Sequence, residues 1–195
     1  MKIIYKGKFN GDMELLPHRE HFPGAVKFRE PDSPKKMALI GNTLSVVIMV
    51  IALAGVLLRG GRGAFSVIGA VLALASMFPH ELLHAVCFKE DVFLYTYLSK
   101  GMMFVVGNES MSKSRFIIMS LFPNIVFGVI PYILFMVFPQ LKILGTMGAV
   151  AMGMGAGDYY NVYNAAVQMP KGARTYLHKF NSYWYMPQNR GENRD

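Results

Sequence analysis

Four stretches of this chain run almost without charge for the length of a bilayer. Residues 37–58 (MALIGNTLSVVIMVIALAGVLL) carry no charged side chain, and about 20 apolar residues suffice to cross the hydrocarbon core. From Ala64 to Phe88 the apolar run is interrupted by His80, Glu81 and His84. Residues 116–138 are again uncharged, and between Lys142 and Lys171 the sole charge is Asp158. The pattern predicts an all-α integral membrane protein with four transmembrane helices, roughly 37–58, 65–88, 116–138 and 143–167.

Outside these runs the periodicity changes. MKIIYKGKF at the start, and DVFLYTYLSKGMMFVV from Asp91, alternate as short strands do. The second stretch is expected to fold back as a short β-hairpin after the second helix. The chain then divides into a cytoplasmic N-terminal segment (1–36), a membrane domain (37–170) and a tail (171–195). The aromatic and basic YLHKFNSYWYMP of that tail is expected to lie along the membrane interface, which Trp and Tyr favour. The first 36 residues are polar and basic, unlike a cleavable signal peptide.

Composition agrees with a membrane protein: 53% hydrophobic, 16% charged, mean hydropathy +0.31. The net charge of +8 raises the question of nucleic acid, and the placement of the basic residues answers it. With both termini inside, seventeen Lys and Arg fall on the cytoplasmic side and three (Arg59, Arg62, Lys142) outside. Such asymmetry is what the positive-inside rule requires of a four-span chain with cytoplasmic N and C termini. No basic and aromatic stripe of the nucleic-acid-binding kind is present. The single Cys87 excludes an internal disulfide and a cysteine-rich metal site.

The polar residues inside the second run spell H-E-x-x-H: FPHELLHAVCF, residues 78–88. On a helix, positions i and i+4 lie one turn apart on one face, so His80 and His84 can reach one zinc ion. Glu81 is turned about 100° from His80, placed to take a proton from an attacking water without ligating the metal. Ionisable side chains within a span cost about 2.5–3.5 kcal/mol on the insertion scale, so they are rare without a purpose. The competing reading is that the three snorkel to the interface or bond across helices.

A third ligand is needed. The downstream candidates are Glu90, Asp91, Glu109, Asp158, His178, Glu192 and Asp195. His80 and Asp158 each lie about 15 residues, or roughly 22 Å, below the outer end of their predicted helices. Equal depth favours Asp158, and Glu109 stands as its main rival. Asn124, Tyr159 and Asn161 are candidates for substrate binding or for holding the ligands, as are Tyr160 and Asn164. Gly145, Ala149, Gly153 and Gly157 form a small-residue stripe suited to close helix contact. Pro79 is placed to kink the motif helix, and Pro123 and Pro131 to break the hydrogen-bond ladder of the third.

PHELLHAVCF, the Pro of SLFPN, and GAGDYYNVYNA together resemble intramembrane zinc proteases of the site-2 protease class. More closely, the whole chain resembles a family of small four-span bacterial membrane proteins described as zincin peptidases. The resemblance implies Zn²⁺ on His80, His84 and Asp158, Glu81 as general base, and cleavage of membrane-associated protein or peptide near the cytoplasmic face. Gly157 and Tyr159 flank Asp158 where site-2 proteases commonly carry Asn-Pro-Asp-Gly or Leu-Asp-Gly, and no PDZ-like module is present. The alternatives are a non-proteolytic metal-binding membrane protein (a sensor or permease component) and a structural partner whose polar residues join helices.

Overall fold

The fold was described from a computed structural model, which describes residues 1–31, 33–97, 101–179 and 181–188. In chain order the strands are β1 (Ile3–Lys8), β2 (Val26–Lys27), β3 (Val92–Tyr97), β4 (Met102–Val106), β5 (Met111–Ser112), β6 (Arg174–His178) and β7 (Asn181–Tyr185). The helices are α1 (Pro34–Gly60), α2 (Val67–Ala75), α3 (Met77–Val86), α4 (Lys113–Asn124), α5 (Ile130–Val137), α6 (Lys142–Met154) and α7 (Ala156–Gln168). The architecture is therefore mixed, and the all-α expectation is overturned by two β-sheets.

The chain divides into two compact units. The first gathers residues 1–30, 88–117 and 164–195. Here β1 pairs parallel with β3 and β3 pairs antiparallel with β4, giving the order β1-β3-β4. The hairpin expected after the motif helix is thus present, with the N-terminal strand added to its edge. A second sheet, β2-β7-β6-β5, is antiparallel throughout. Its two longest strands come from the stretch expected to lie along the membrane interface. Phe9, Leu16, Tyr95 and Val106 are buried together, with Phe93, Tyr97 and Phe104 packed against them. Lys113 closes the C-terminus of α7, its Nζ donating to the carbonyls of Ala166 (2.8 Å) and Met169 (2.7 Å).

The second unit comprises residues 31–87 and 118–163. Among the described residues three helical stretches are long and apolar enough to cross a membrane: Lys35–Gly60, Val67–Val86 and Lys113–Val137. The expected fourth full-length span is not formed among the described residues. Instead the chain from Lys142 folds as α6 and α7, thirteen residues each, interrupted at Gly155. A thirteen-residue helix rises about 20 Å, short of the roughly 30 Å of hydrocarbon. α1 ends at Gly61, whose φ of 73° suits glycine and whose N–H closes on the Leu57 carbonyl.

α6 is the centre of this unit, packed against α1, α2 and α5. It buries Gly145, Thr146, Gly148, Ala149, Ala151 and Gly153, so neighbouring backbones come close. A Cβ on Gly148 would stand 2.6 Å from both the Gly128 carbonyl oxygen and the Tyr132 nitrogen. The thread of small residues stops at the Gly155 break: Gly157, beyond it, is exposed with nothing within 4 Å of an added Cβ. Thr146 Oγ1 also accepts from the Ser66 N–H at 2.9 Å, while Ser66 Oγ accepts from Gly69 N–H and caps α2.

Gly148→Val should lower stability by about 3 kcal/mol or more, because the obstructing atoms are backbone. Gly157→Ala should leave stability unchanged or raise it by up to ~1 kcal/mol. Unfolding of the two variants in detergent checks both; equal tolerance would show that α6 does not need its close approach.

Candidate metal centre

The centre is assembled at three interruptions of helical regularity. The first separates α2 from α3 at Ser76. Pro79 stands three residues on, and a proline ring presses on the carbonyl four residues before it, here Ala75. His80, Glu81 and His84 lie in α3 beyond this break. One donor atom from each lies within 4.8 Å of the others, and the two imidazole centroids are 4.9 Å apart.

The second interruption follows Pro123 inside α4, where Ile125–Val129 form a π-helical turn before α5. Met119 and Asn124 belong to this stretch. The third is Gly155, which ends α6 and lets α7 begin with Asp158 in its first turn. A carboxylate is favoured there by the unpaired N–H groups and the dipole of a helix start.

These elements bring the side chains together. Asp158 Oδ2 is 3.2 Å from His80 Nε2, and Asp158 Oδ1 is 3.2 Å from His84 Nε2. Asn124 Nδ2 donates to Asp158 Oδ2 at 2.7 Å and to the Ser120 carbonyl at 3.2 Å. His84 Nδ1 is 2.9 Å from the Met119 carbonyl oxygen. A carbonyl only accepts, so Nδ1 carries the proton of that bond and, in the neutral ring, Nε2 presents a lone pair. His84 and Asn124 are buried, while His80, Glu81 and Asp158 are half-buried.

The donor set fits zinc. Two imidazole nitrogens and a carboxylate make the three-ligand set of a catalytic site, which leaves a position open. Donor atoms around a tetrahedral ion with bonds of about 2.0–2.1 Å stand roughly 3.3 Å apart, and each imidazole Nε2 stands 3.2 Å from a different one of the two Asp158 oxygens. A backbone carbonyl on the free nitrogen of a ligating histidine, and a hydrogen bond on the ligating carboxylate, are the usual supports of such a set.

A family model, DUF3267, described as "Putative zincin peptidase", matches residues 73–174. The chain belongs to this family. No curated protein and no solved structure matches the chain. The matched region of the zincin peptidase family runs from the start of the motif segment through α7, so it contains every residue described above.

The other sequence candidates have different surroundings. Glu109 is buried in the sheet-bearing unit, paired with the Arg115 guanidinium and accepting the backbone N–H groups of Lys89 and Glu90. Asp91 accepts from the Lys2 N–H at 2.6 Å, and His178 Nδ1 bonds the Arg19 carbonyl at 2.8 Å. Glu192 and Asp195 lie outside the described residues. Tyr159 and Asn161 are half-buried on α7, and among the described residues no hydrogen bond ties them to His80, His84 or Asp158. Asn164 is buried, its Oδ1 accepting from Gln168 Nε2.

Two participants escape sequence reading. The Met119 carbonyl has no side-chain signature, although a proline four residues downstream is a signal for a freed acceptor. Gly155 is hidden among other glycines, yet a Cβ there would lie 1.5 Å from Asn124 Oδ1. Gly155→Ala should therefore push Asn124 off Asp158 and cost about 1–3 kcal/mol. Combining it with Asn124→Ala should recover at least ~1 kcal/mol. Additive losses in a double-mutant cycle of unfolding free energies would sever the two residues.

Burial pushes the Glu109 carboxyl up, but Arg115 and the two backbone donors outweigh it and hold it below its ordinary 4.5. A depressed carboxyl stabilises the fold above its unfolded-state pKa and loses that contribution as pH falls through the folded-state value. Stability should thus fall as pH drops below about 4.5, and Glu109→Gln should flatten that acid limb. Denaturant melts from pH 7 to pH 3 measure it, and an unchanged slope in the variant would remove Glu109 as a source of acid sensitivity.

Proposed function

We propose that this protein is a membrane-embedded zinc peptidase that hydrolyses peptide bonds of membrane-associated proteins or peptides near the cytoplasmic face. The observation that carries the reading is the convergence of His80 Nε2 and His84 Nε2 on the Asp158 carboxylate, each 3.2 Å from one of its oxygens, beside Glu81. Two histidines from one helix and an aspartate from a later one is an arrangement suited to the site-2 protease class.

In this reading His80, His84 and Asp158 hold the ion. Zinc, when bound, supplies a Lewis acid that lowers the pKa of a water to about 7 and polarises the scissile carbonyl. Glu81 accepts the proton of the attacking water and delivers it to the leaving amine nitrogen. Met119 keeps the proton of His84 on Nδ1, and Asn124 keeps the Asp158 carboxylate turned toward the two imidazoles.

Sheet pairing supports the topology. β1 pairs with β3, β2 with β7 and β5 with β6, so the N-terminal, post-motif and C-terminal segments share one side of the bilayer. Those segments carry most of the twenty Lys and Arg, which supports assigning that side to the cytoplasm, and the resemblance to small bacterial membrane proteins supports a bacterial plasma membrane.

Elemental analysis of the purified protein should find about one zinc per chain, with little in His84→Ala or Asp158→Ala. Glu81→Gln should keep the zinc and lose about 10²–10⁴-fold in hydrolysis of a fluorogenic peptide library. Zinc retained by Asp158→Ala would remove that ligand, and hydrolysis surviving Glu81→Gln would remove the general base.

A further inference from the structure

We propose that Pro123 is a positioning residue for the metal centre: by lacking an N–H, it leaves the Met119 carbonyl for His84, and so directs the His84 Nε2 lone pair at the ion. The inference rests on the zinc reading above and extends it to a residue that touches neither ion nor substrate.

The argument is one of register. In an α-helix the N–H of residue i bonds the carbonyl of residue i−4. Pro123 lies inside α4, and the carbonyl four residues before it is that of Met119. With any other residue at 123, that carbonyl would have an intrahelical donor along the helix axis. With proline the donor is gone, and His84 Nδ1 stands 2.9 Å from the oxygen. The helix also departs from α geometry just after this point, in the Ile125–Val129 π turn. Such turns occur often at functional sites. Pro123 is fully buried, which rules out a role as a surface helix terminator.

An imidazole can present only one nitrogen to a metal while the other carries a proton, and the partner of that proton selects which. Asp158 Oδ1 competes for a proton on Nε2, standing 3.2 Å from it. The Met119 carbonyl biases the choice toward Nδ1–H. A helix with its ladder intact at residue 123 would weaken that bias, because the oxygen would then serve two donors.

The test compares zinc dissociation constants, by chelator competition in detergent, for the parent, Pro123→Ala, and a variant carrying the α-hydroxy analogue of alanine at 123. The hydroxy analogue replaces the peptide N–H by an ester oxygen, so it lacks the ring but, like proline, lacks the donor. Pro123→Ala should bind zinc about 10–100-fold more weakly, the range seen when the outer partner of a ligating histidine is lost. The ester variant should return to within about threefold of the parent. ¹⁵N spectra of the zinc-loaded proteins should show His84 metallated on Nε2 with a protonated Nδ1 in the parent and the ester variant. An unchanged affinity in Pro123→Ala, or an ester variant as weak as Pro123→Ala, would overturn the role while leaving the zinc site intact. A parent that binds no zinc would overturn the zinc reading itself, and this role with it.

Discussion

The helical unit is organised around one largely buried carboxylate. Asp158 lies among apolar helices, where an unpartnered ion is strongly disfavoured and a paired one needs its lone pairs filled. Its two oxygens face His80 Nε2, His84 Nε2 and Asn124 Nδ2. Asp158 and these partners come from three different parts of the chain, and each part departs from regular helix to deliver them. The α2–α3 break precedes the motif, the π turn follows Pro123, and Gly155 parts α6 from α7. An uninterrupted bundle would be the simpler way to fill a bilayer. That all three irregularities fall beside one carboxylate marks it as a candidate site independently of the motif, since local rules are commonly broken at functional or strained positions.

The close packing of α6 is the complement of this arrangement. Glycine and alanine along its length let backbones of neighbouring helices approach to contact distance. α6 ends at Met154, and Asp158 stands in the first turn of the next helix.

Much of this was legible in the sequence. The spacing of His80 and His84 places both on one helix face, since that step rests on a local period; the depth expected for Asp158 assumed one continuous fourth helix, which Gly155 interrupts. The strands were half legible. Alternation marks residues 92–106 as a hairpin, because both strands and the turn between them are contiguous. The parallel pairing of β1 with β3 joins segments about 90 residues apart, and no local period encodes that. The β6–β7 pair was read as an interfacial stretch because Tyr and Trp suit both settings. The expected fourth span failed for a related reason. Hydropathy averages over a window and does not register one glycine whose lack of a side chain lets the helix stop against Asn124.

Asn124 shows how little freedom the centre retains. Its Nδ2 has two acceptors, the Ser120 carbonyl and Asp158 Oδ2, whereas its Oδ1 is buried with no hydrogen-bond partner among the described residues. Turning the amide over would satisfy neither acceptor and would set a carbonyl oxygen against a carboxylate. An aspartate in its place would repel Asp158. A glutamine would carry an extra methylene into the space that Gly155 already vacates. The orphaned oxygen is therefore the cost of a donor aimed at Asp158, and it is tolerated because a lost acceptor bond of about 1–3 kcal/mol is smaller than the penalty of an unsupported buried carboxylate.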